Sequence, residues 1–181
     1  REGPVLIDES FIDFTTLESA TEWCASYPNL LVLRSLSKFY ALPALRVGAL
    51  VGSAEWIQRL ARRREPWQVS SLAEAAAIAA IEDQEHAERT RQVVDAERAW
   101  LFDQLSSLPG LQLKEGSANF LFAQTERPAA EICEWFLERK IILRNCAGLP
   151  GVEGEAIRFA VRLRPDNERF VQAAKEFFCA G

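Results

Sequence analysis

Residues 30–48 read Leu-Leu-Val-Leu-Arg-Ser-Leu-Ser-Lys-Phe-Tyr-Ala-Leu-Pro-Ala-Leu-Arg-Val-Gly, and the rest of the chain is organised around them. The apolar run at 30–33 is typical of a buried strand. A single lysine, Lys38, follows two hydroxyls, Ser35 and Ser37, and precedes Arg46 by eight residues. A lysine amine can form an imine with an aldehyde, while hydroxyls and a guanidinium can bind a phosphate. The stretch therefore predicts a site for a phosphorylated aldehyde cofactor.

A second candidate lies near the start of the chain, where Asp8 directly follows a short apolar run at 5–7. This pattern predicts a buried parallel strand that ends at Asp8. Open α/β sheets bind their ligands at the carboxyl ends of their strands, so Asp8 is a candidate ligand residue. An aspartate at this position can equally well cap the turn that follows, and position alone does not separate the two interpretations.

The pattern of strands and helices indicates an α/β fold with two parts. In the first part, strands at 5–7, 30–33 and 47–51 alternate with helical segments, which predicts helices packed on a sheet. In the second part, short strands at 111–115, 118–122, 141–144 and 156–161 combine with helices at 128–140 and 165–179 as a small α+β layer. We expect one domain at 1–84 and a second at 85–181, with a long bridging helix from residue 85 to residue 108.

Three arginines in the second part are candidates for binding anions. The strand period of two places Arg158, Ala160 and Arg162 on one face, and Arg144 ends the preceding predicted strand. Arginine forks suit carboxylates and phosphates, so a substrate with two anionic ends would fit. The alternative is that these arginines form ordinary surface ion pairs, and for the arginines taken alone it is favoured.

Composition excludes several other classes of function. A formal net charge of −5 and an isoelectric point near 5.1 argue against nucleic acid and anionic membrane surfaces as partners. No apolar run is long enough to cross a bilayer. The four cysteines are widely spaced and have no neighbouring histidine, so we expect reduced thiols in a cytoplasmic protein and no metal site. The one histidine, His86, lies in a polar helical stretch that is typical of a surface residue.

The chain contains no methionine and begins only a few residues before a predicted strand. We therefore expect it to be a carboxyl-terminal portion of a longer protein.

Taken in order and spacing, these motifs resemble one family. Asp8-Glu-Ser-Phe11, Ser35-Leu-Ser-Lys38, Arg46 and Arg158 resemble the fold-type I pyridoxal-phosphate enzymes of the histidinol-phosphate aminotransferase group. The flanking segments, including Pro66-Trp67 and Arg144-Asn-Cys-Ala147, are more similar to the decarboxylase branch that acts on threonine phosphate in cobalamin synthesis. The resemblance implies a mostly parallel sheet in the large domain, followed by the small domain, and a homodimer.

The resemblance also implies a role for each candidate. Lys38 would bind pyridoxal 5′-phosphate covalently, Asp8 would contact its ring nitrogen, and Ser35, Ser37 and Arg46 would bind its phosphate. Arg144, Arg158 and Arg162 would be the candidates for binding the anionic groups of a phosphorylated amino acid. The amino-terminal half of the family fold, which completes the cofactor site, is absent from these residues, so the chain alone is expected to be inactive.

One departure from the family pattern concerns the reaction. Aminotransferases of this group usually have a tyrosine three residues after the aspartate, whereas this chain has Phe11 in the cofactor site. The departure favours decarboxylation of L-threonine O-3-phosphate over transamination of the histidinol-phosphate type, which is the main alternative. A third interpretation is an inactive module for dimerisation or binding.

Overall fold

A computed structural model describes residues 3–179 and divides into two compact units, one ending at Thr90 and the other beginning at Arg91. The division falls within helix α3 (Gln84–Leu105), the long helix that the sequence pattern predicted. Each unit has its own sheet and its own buried core.

The first unit contains a three-stranded mixed sheet. Its strands are β1 (Val5–Asp8), β2 (Leu30–Ser35) and β3 (Gly48–Gly52), in the order β1-β2-β3. β1 runs parallel to β2, whereas β3 runs antiparallel to it, so the prediction of a mostly parallel sheet is wrong. A parallel pair needs a long crossover. The chain between β1 and β2 crosses over through two short 3-10 helices, but the chain between β2 and β3 contains only turns and reverses direction.

The core of this unit lies on one face of the central strand, β2. Leu30 and Val32 of β2 pack with Ala20 and Cys24 of the second 3-10 helix, Ala20–Ala25. β1 is an edge strand whose Leu6 is 60% exposed, so the predicted burial of this strand is not observed. Two helices, α1 (Ala54–Ala61) and α2 (Ser71–Glu82), follow β3.

The second unit contains a four-stranded antiparallel sheet with the order β4-β5-β7-β6. Its elements are β4 (Leu111–Lys114), β5 (Phe120–Thr125), α4 (Ala129–Glu138), β6 (Arg144–Asn145), β7 (Glu155–Ala160) and α5 (Arg164–Cys179). Ile157 and Phe159 of β7 are buried in a core with α4 and α5, while Arg158 and Ala160 face outward. The predicted alternation along this strand is therefore confirmed.

Within residues 3–179, no helix is both long and apolar enough to cross a membrane. The same residues contain no cluster of three or more histidine, cysteine, aspartate or glutamate side chains that could hold a metal ion. All four cysteines are free thiols.

Candidate active site

Asp8 lies at the carboxyl end of β1, at the edge of the sheet where the sequence predicted a ligand residue. Its Oδ1 accepts hydrogen bonds from the Ser10 backbone N–H (2.9 Å) and from Ser10 Oγ (2.5 Å). The Ser10 hydroxyl is the main cause that lowers the pKa of Asp8 below its ordinary value, followed by the Ser10 N–H; the charge of Lys38 acts in the same direction. Asp8 thus caps its turn and also presents an ionised carboxylate toward Lys38.

Lys38 and Phe11 are in direct contact. Lys38 Nζ lies 4.8 Å from the centre of the Phe11 ring, a cation–π geometry. Lys38 is exposed and Phe11 is half-buried. The structure therefore brings together Asp8, Phe11 and Lys38, three of the residues that the sequence singled out.

The two predicted phosphate-binding serines form a second group at the end of β2. Ser35 Oγ and Ser37 Oγ are 2.8 Å apart, and the Ser37 N–H donates to Ser35 Oγ at 3.4 Å. Arg46 precedes β3, and its Nη1 donates to the Pro43 carbonyl at 2.9 Å. No described contact joins Arg46 to either serine, so its place in the site stays a prediction.

The loop that carries Lys38 has a strained backbone. Ala41 and Arg46 have φ values of 53° and 51°, in the left-handed region that non-glycine residues rarely adopt. Where β3 begins, a Cβ on Gly48 would lie 2.6 Å from the Arg34 carbonyl oxygen, so the close pairing of this position with Ser35 requires glycine. Close packing at Gly48 thus constrains the segment that carries the serines and the lysine, and the rest of the fold must offset the cost of its left-handed residues.

A charged network near the site was not singled out from the sequence. Glu9, next to Asp8, is only 7% exposed, and Arg34, next to Ser35, contacts both Glu9 and Asp13. Two features of the sequence could have identified this network: an arginine that follows four apolar strand residues, and an acidic residue at the corresponding end of β1. A charge at the end of a buried strand requires partners.

Arg144 and Arg158 lie directly opposite each other on the neighbouring strands β6 and β7. Both are exposed, and neither has a carboxylate within 4 Å among residues 3–179. Arg158 also lies 4.8 Å from the centre of the Phe120 ring. Like charges directly opposite across a sheet are unfavourable, so this pair is a candidate for binding an anion.

Arg162 differs from the other two arginines. It lies beyond the end of β7, and its Nε is 3.2 Å from Asp166 Oδ2. Its backbone N–H and carbonyl are both hydrogen-bonded to the buried side chain of Asn167, at 3.0 and 2.7 Å. Arg162 thus forms the surface ion pair that the sequence left open as the alternative.

The residues of the first unit fit pyridoxal 5′-phosphate by their chemistry. An exposed lysine amine lies near an ionised carboxylate whose pKa is lowered, and two serine hydroxyls lie close to each other at the next strand end. A pyridine nitrogen needs a carboxylate to hold its proton, and a phosphate needs hydroxyl or N–H donors.

The fold and these residues define a class of protein. A family model described as "Aminotransferase class I and II" matches residues 1–173, and the chain belongs to this family. The cofactor of the family is pyridoxal 5′-phosphate, which agrees with the cofactor predicted from Lys38 and its neighbours.

Individual relatives carry two different names. The chain is 35% identical over 173 residues to a threonine-phosphate decarboxylase of Salmonella typhimurium, covering 94% of the chain and 48% of that protein. It is equally 35% identical over 176 residues to a histidinol-phosphate aminotransferase of Moorella thermoacetica, covering 95% of the chain and 45% of that protein. The chain thus spans about half the length of the curated relatives it matches.

The fold agrees with these relatives. The crystal structure of the histidinol-phosphate aminotransferase from Clostridium acetobutylicum superposes with a TM-score of 0.93 at 25% identity, covering 99% of this chain and 56% of that one. The α/β fold of this chain therefore matches part of a fold-type I enzyme.

Proposed function

We propose that the protein carrying this chain decarboxylates L-threonine O-3-phosphate to (R)-1-aminopropan-2-yl phosphate, with pyridoxal 5′-phosphate as cofactor. The observation that carries the proposal is the pair Arg144 and Arg158, which are directly opposite and lack acidic partners among the described residues. Threonine phosphate has two anionic groups, a carboxylate and a phosphate, in one molecule. Histidinol phosphate has only the phosphate, and its transamination needs a separate 2-oxo acid to bring a carboxylate to the site. Two adjacent guanidinium groups are suited to a substrate with two anionic groups.

In this proposal each residue of the first unit has a defined task. The Lys38 amine binds the cofactor aldehyde, and the Asp8 carboxylate stabilises a proton on the ring nitrogen. The hydroxyls of Ser35 and Ser37, together with Arg46, bind the phosphate of the cofactor. When bound, the cofactor supplies an electron sink for the bond that breaks at the substrate α-carbon. Once the amino group of the substrate has displaced it from the cofactor aldehyde, the Lys38 amine would be free to return a proton to that carbon.

Phe11 supports decarboxylation over transamination. A phenyl ring beside Lys38 offers no hydroxyl to a neighbouring cofactor oxygen, whereas the tyrosine that aminotransferases of this group usually have would offer one. The remaining assignments of the proposal are a large-domain portion at 1–84, a small domain at 85–181, and a homodimer.

The second candidate function is transamination of the histidinol-phosphate type. It is favoured by relatives of that name that are as similar to this chain as the decarboxylase is. The two reactions differ in what they need and release, because decarboxylation gives carbon dioxide without an amino acceptor and transamination requires a 2-oxo acid.

Product analysis of the intact protein with threonine phosphate, with and without 2-oxoglutarate, tests the proposal. We expect carbon dioxide and aminopropanol phosphate in equal amounts, independent of 2-oxoglutarate. Turnover that depends on 2-oxoglutarate would instead support the aminotransferase. Lys38→Ala should abolish covalent cofactor binding in either case, and a protein that binds no cofactor and only dimerises would support the inactive-module interpretation.

A further inference from the structure

The ends of β1 and β2 present different residues on their two faces. Asp8 pairs with Leu33 in register, and the Glu9 N–H continues the ladder by donating to the Leu33 carbonyl at 2.9 Å. Because side chains alternate along a strand, Glu9 and Arg34 point away from the face shared by Asp8 and Ser35. The two charged residues thus lie directly behind the candidate cofactor-binding residues.

The contacts of Glu9 fix its carboxylate on both oxygens. Oε1 accepts a hydrogen bond from the Ala20 N–H at 2.7 Å, and Oε2 accepts one from Ser19 Oγ at 2.6 Å. Arg34 Nη1 lies 3.8 Å from Oε2 of Glu9 and donates to Ser19 Oγ at 3.3 Å. Glu9 therefore holds the end of β1 to the second 3-10 helix and to Arg34.

Arg34 connects this group to a second carboxylate. Its Nη2 is 2.5 Å from Asp13 Oδ1, in the first 3-10 helix, Ile12–Phe14. Its Nε is buried and has no hydrogen-bond partner among residues 3–179. The guanidinium thus bridges two carboxylates of the segment that follows β1, while its own backbone belongs to the strand that leads to Ser35.

An aromatic contact joins the same two segments by another route. The ring of Phe14, which follows Asp13, packs edge-to-face against Phe39, which follows Lys38, with 5.0 Å between centroids. Both rings are buried. The segment after Asp8 is therefore attached to the segment around Lys38 by an ionic contact at Arg34 and by an apolar one at Phe14.

Stability alone is a weak reason for this ionic network. Taking charges out of water costs free energy that an ion pair does not always return, and apolar residues of similar volume often stabilise a fold as well or better. What a multi-partner guanidinium does supply is a fixed geometry between the groups it bridges.

From these contacts we infer that Arg34 is a positioning residue, which through Glu9 and Asp13 sets Asp8 relative to Ser35, Ser37 and Lys38. The inference rests on the proposed cofactor site. Arg34 itself touches neither cofactor nor substrate in this role; it acts through the ends of β1 and β2.

Arg34→Lys in the intact protein tests the inference, because lysine keeps the charge but replaces the planar guanidinium, whose Nη1 and Nη2 reach different carboxylates, with a single nitrogen. The measurements are the dissociation constant of pyridoxal 5′-phosphate, the pH midpoint at which the absorbance of the bound cofactor changes, and the thermal midpoint. We expect the dissociation constant to rise about tenfold or more, the lower end of the effect of losing a residue that orients a metal ligand. We expect the pH midpoint, which reports the nitrogen that joins Lys38 to the cofactor, to move upward. A displaced Asp8 no longer holds a positive charge on the ring, and that charge disfavours a proton on the Lys38 nitrogen.

Two further variants separate positioning from stability. Leu30→Ala removes a buried side chain at the opposite end of β2 and should lower the thermal midpoint without moving the pH midpoint. Asp13→Asn keeps an acceptor for Arg34 Nη2 but loses the charge, so it should shift the pH midpoint upward by less than Arg34→Lys does. This variant also tests the inference if Arg34→Lys does not fold.

The outcomes are distinguishable. If the Arg34 and Asp13 variants lose stability as Leu30→Ala does and keep the wild-type pH midpoint and cofactor affinity, the network is only structural and the inference is wrong. If the wild-type protein binds no cofactor at Lys38, the proposed function itself fails and the inference fails with it.

Discussion

Arg144 and Arg158 face each other across β6 and β7, two like charges at directly opposed positions of an antiparallel pair. The same cross-strand row continues through Phe122 of β5 to Lys114 of β4, so the exposed face carries three cations and no carboxylate at these positions. Such a row costs stability in the absence of an anion. Binding of an anion to this face would explain why the row of cations is present.

We expect Arg144→Ala and Arg158→Ala to weaken substrate binding, and Arg144→Ala to stabilise the fold slightly. Each should lower kcat/KM for the phosphorylated substrate by about 10- to 100-fold, the range for losing a hydrogen bond between charged groups. Arg144→Ala should raise the free energy of unfolding by about 0.2–0.5 kcal/mol, because the repulsion is removed. Arg158→Ala also loses the contact with the Phe120 ring, which offsets that gain. Steady-state kinetics and urea unfolding measure the two effects.

Arg162→Ala is the matched control for that pair. Arg162 is exposed and paired with Asp166, so its loss should leave kcat/KM near the wild-type value. Equal losses for all three arginines would show that net charge, rather than the Arg144–Arg158 pair, is what the substrate requires.

Ser10→Ala should raise the pKa of Asp8 toward its ordinary value, because the hydroxyl is the largest cause of its lowering. The Ser10 backbone N–H remains as a donor, so the return should be incomplete. A carboxyl whose folded pKa lies below the unfolded value stabilises the fold above the unfolded pKa, and this contribution is lost as pH falls through the folded pKa. The variant should therefore lose less stability on acidification than the wild type.

Carboxyl NMR titration measures the Asp8 pKa directly in both proteins. Thr15→Ala is the control. The Thr15 hydroxyl also lies between β1 and β2 but donates to the Ile12 carbonyl rather than to Asp8, so its loss should leave the Asp8 pKa unchanged. A wild-type pKa at the ordinary aspartate value would contradict the prediction.

Lys140→Gly should stabilise the second unit. α4 ends at Glu138, and Lys140, two residues later, has a φ of 59°. The Lys140 N–H donates to the Leu137 carbonyl at 2.8 Å, and the Ile141 N–H donates to the Phe136 carbonyl at 3.0 Å. This is the Schellman pattern, in which the left-handed residue is usually glycine. Glycine keeps both hydrogen bonds and removes the steric cost, so the free energy of unfolding should rise by about 1 kcal/mol.

The control for this change is Lys140→Ala, which removes the long side chain but keeps the Cβ. Thermal and chemical unfolding should show little change for alanine. A similar gain for alanine and glycine would mean that the charge of Lys140, rather than its backbone conformation, is the destabilising feature.

Asn167→Ala should be strongly destabilising. The Asn167 side chain is 1% exposed and bonds the Arg162 N–H, the Arg162 carbonyl and Glu97 Oε2. Glu97 in turn accepts a hydrogen bond from Arg164, which is the main reason that the pKa of Glu97 lies below its ordinary value. Removing the amide leaves the part-buried N–H and carbonyl of Arg162 without this partner, at a cost of about 1–3 kcal/mol.

Equilibrium unfolding in urea measures this loss. Gln172→Ala, on the exposed side of the same helix, should change stability by less than about 0.5 kcal/mol. A small effect at Asn167 would indicate that water replaces the amide at the end of β7.

The sequence by itself determined the chemistry and the local periodicities. The order of Ser35, Ser37 and Lys38 after an apolar run, the aspartate at the end of β1, and the alternation of Arg158 with Ile157 and Phe159 are all properties of neighbouring residues. Side-chain period and residue type act over a few positions, so they can be read without knowing the fold.

Only the tertiary structure decided the direction of β3, the pairing of Arg144 with Arg158, and the bridge from Arg34 to Glu9 and Asp13. Each depends on which distant segments become neighbours and in what register. The turns between β2 and β3 reverse the chain, and the register of β6 against β7 places one arginine opposite another. The three arginines look alike in the sequence. Only the structure shows that Arg144 and Arg158 lie opposite each other, whereas Arg162 forms an ion pair with Asp166.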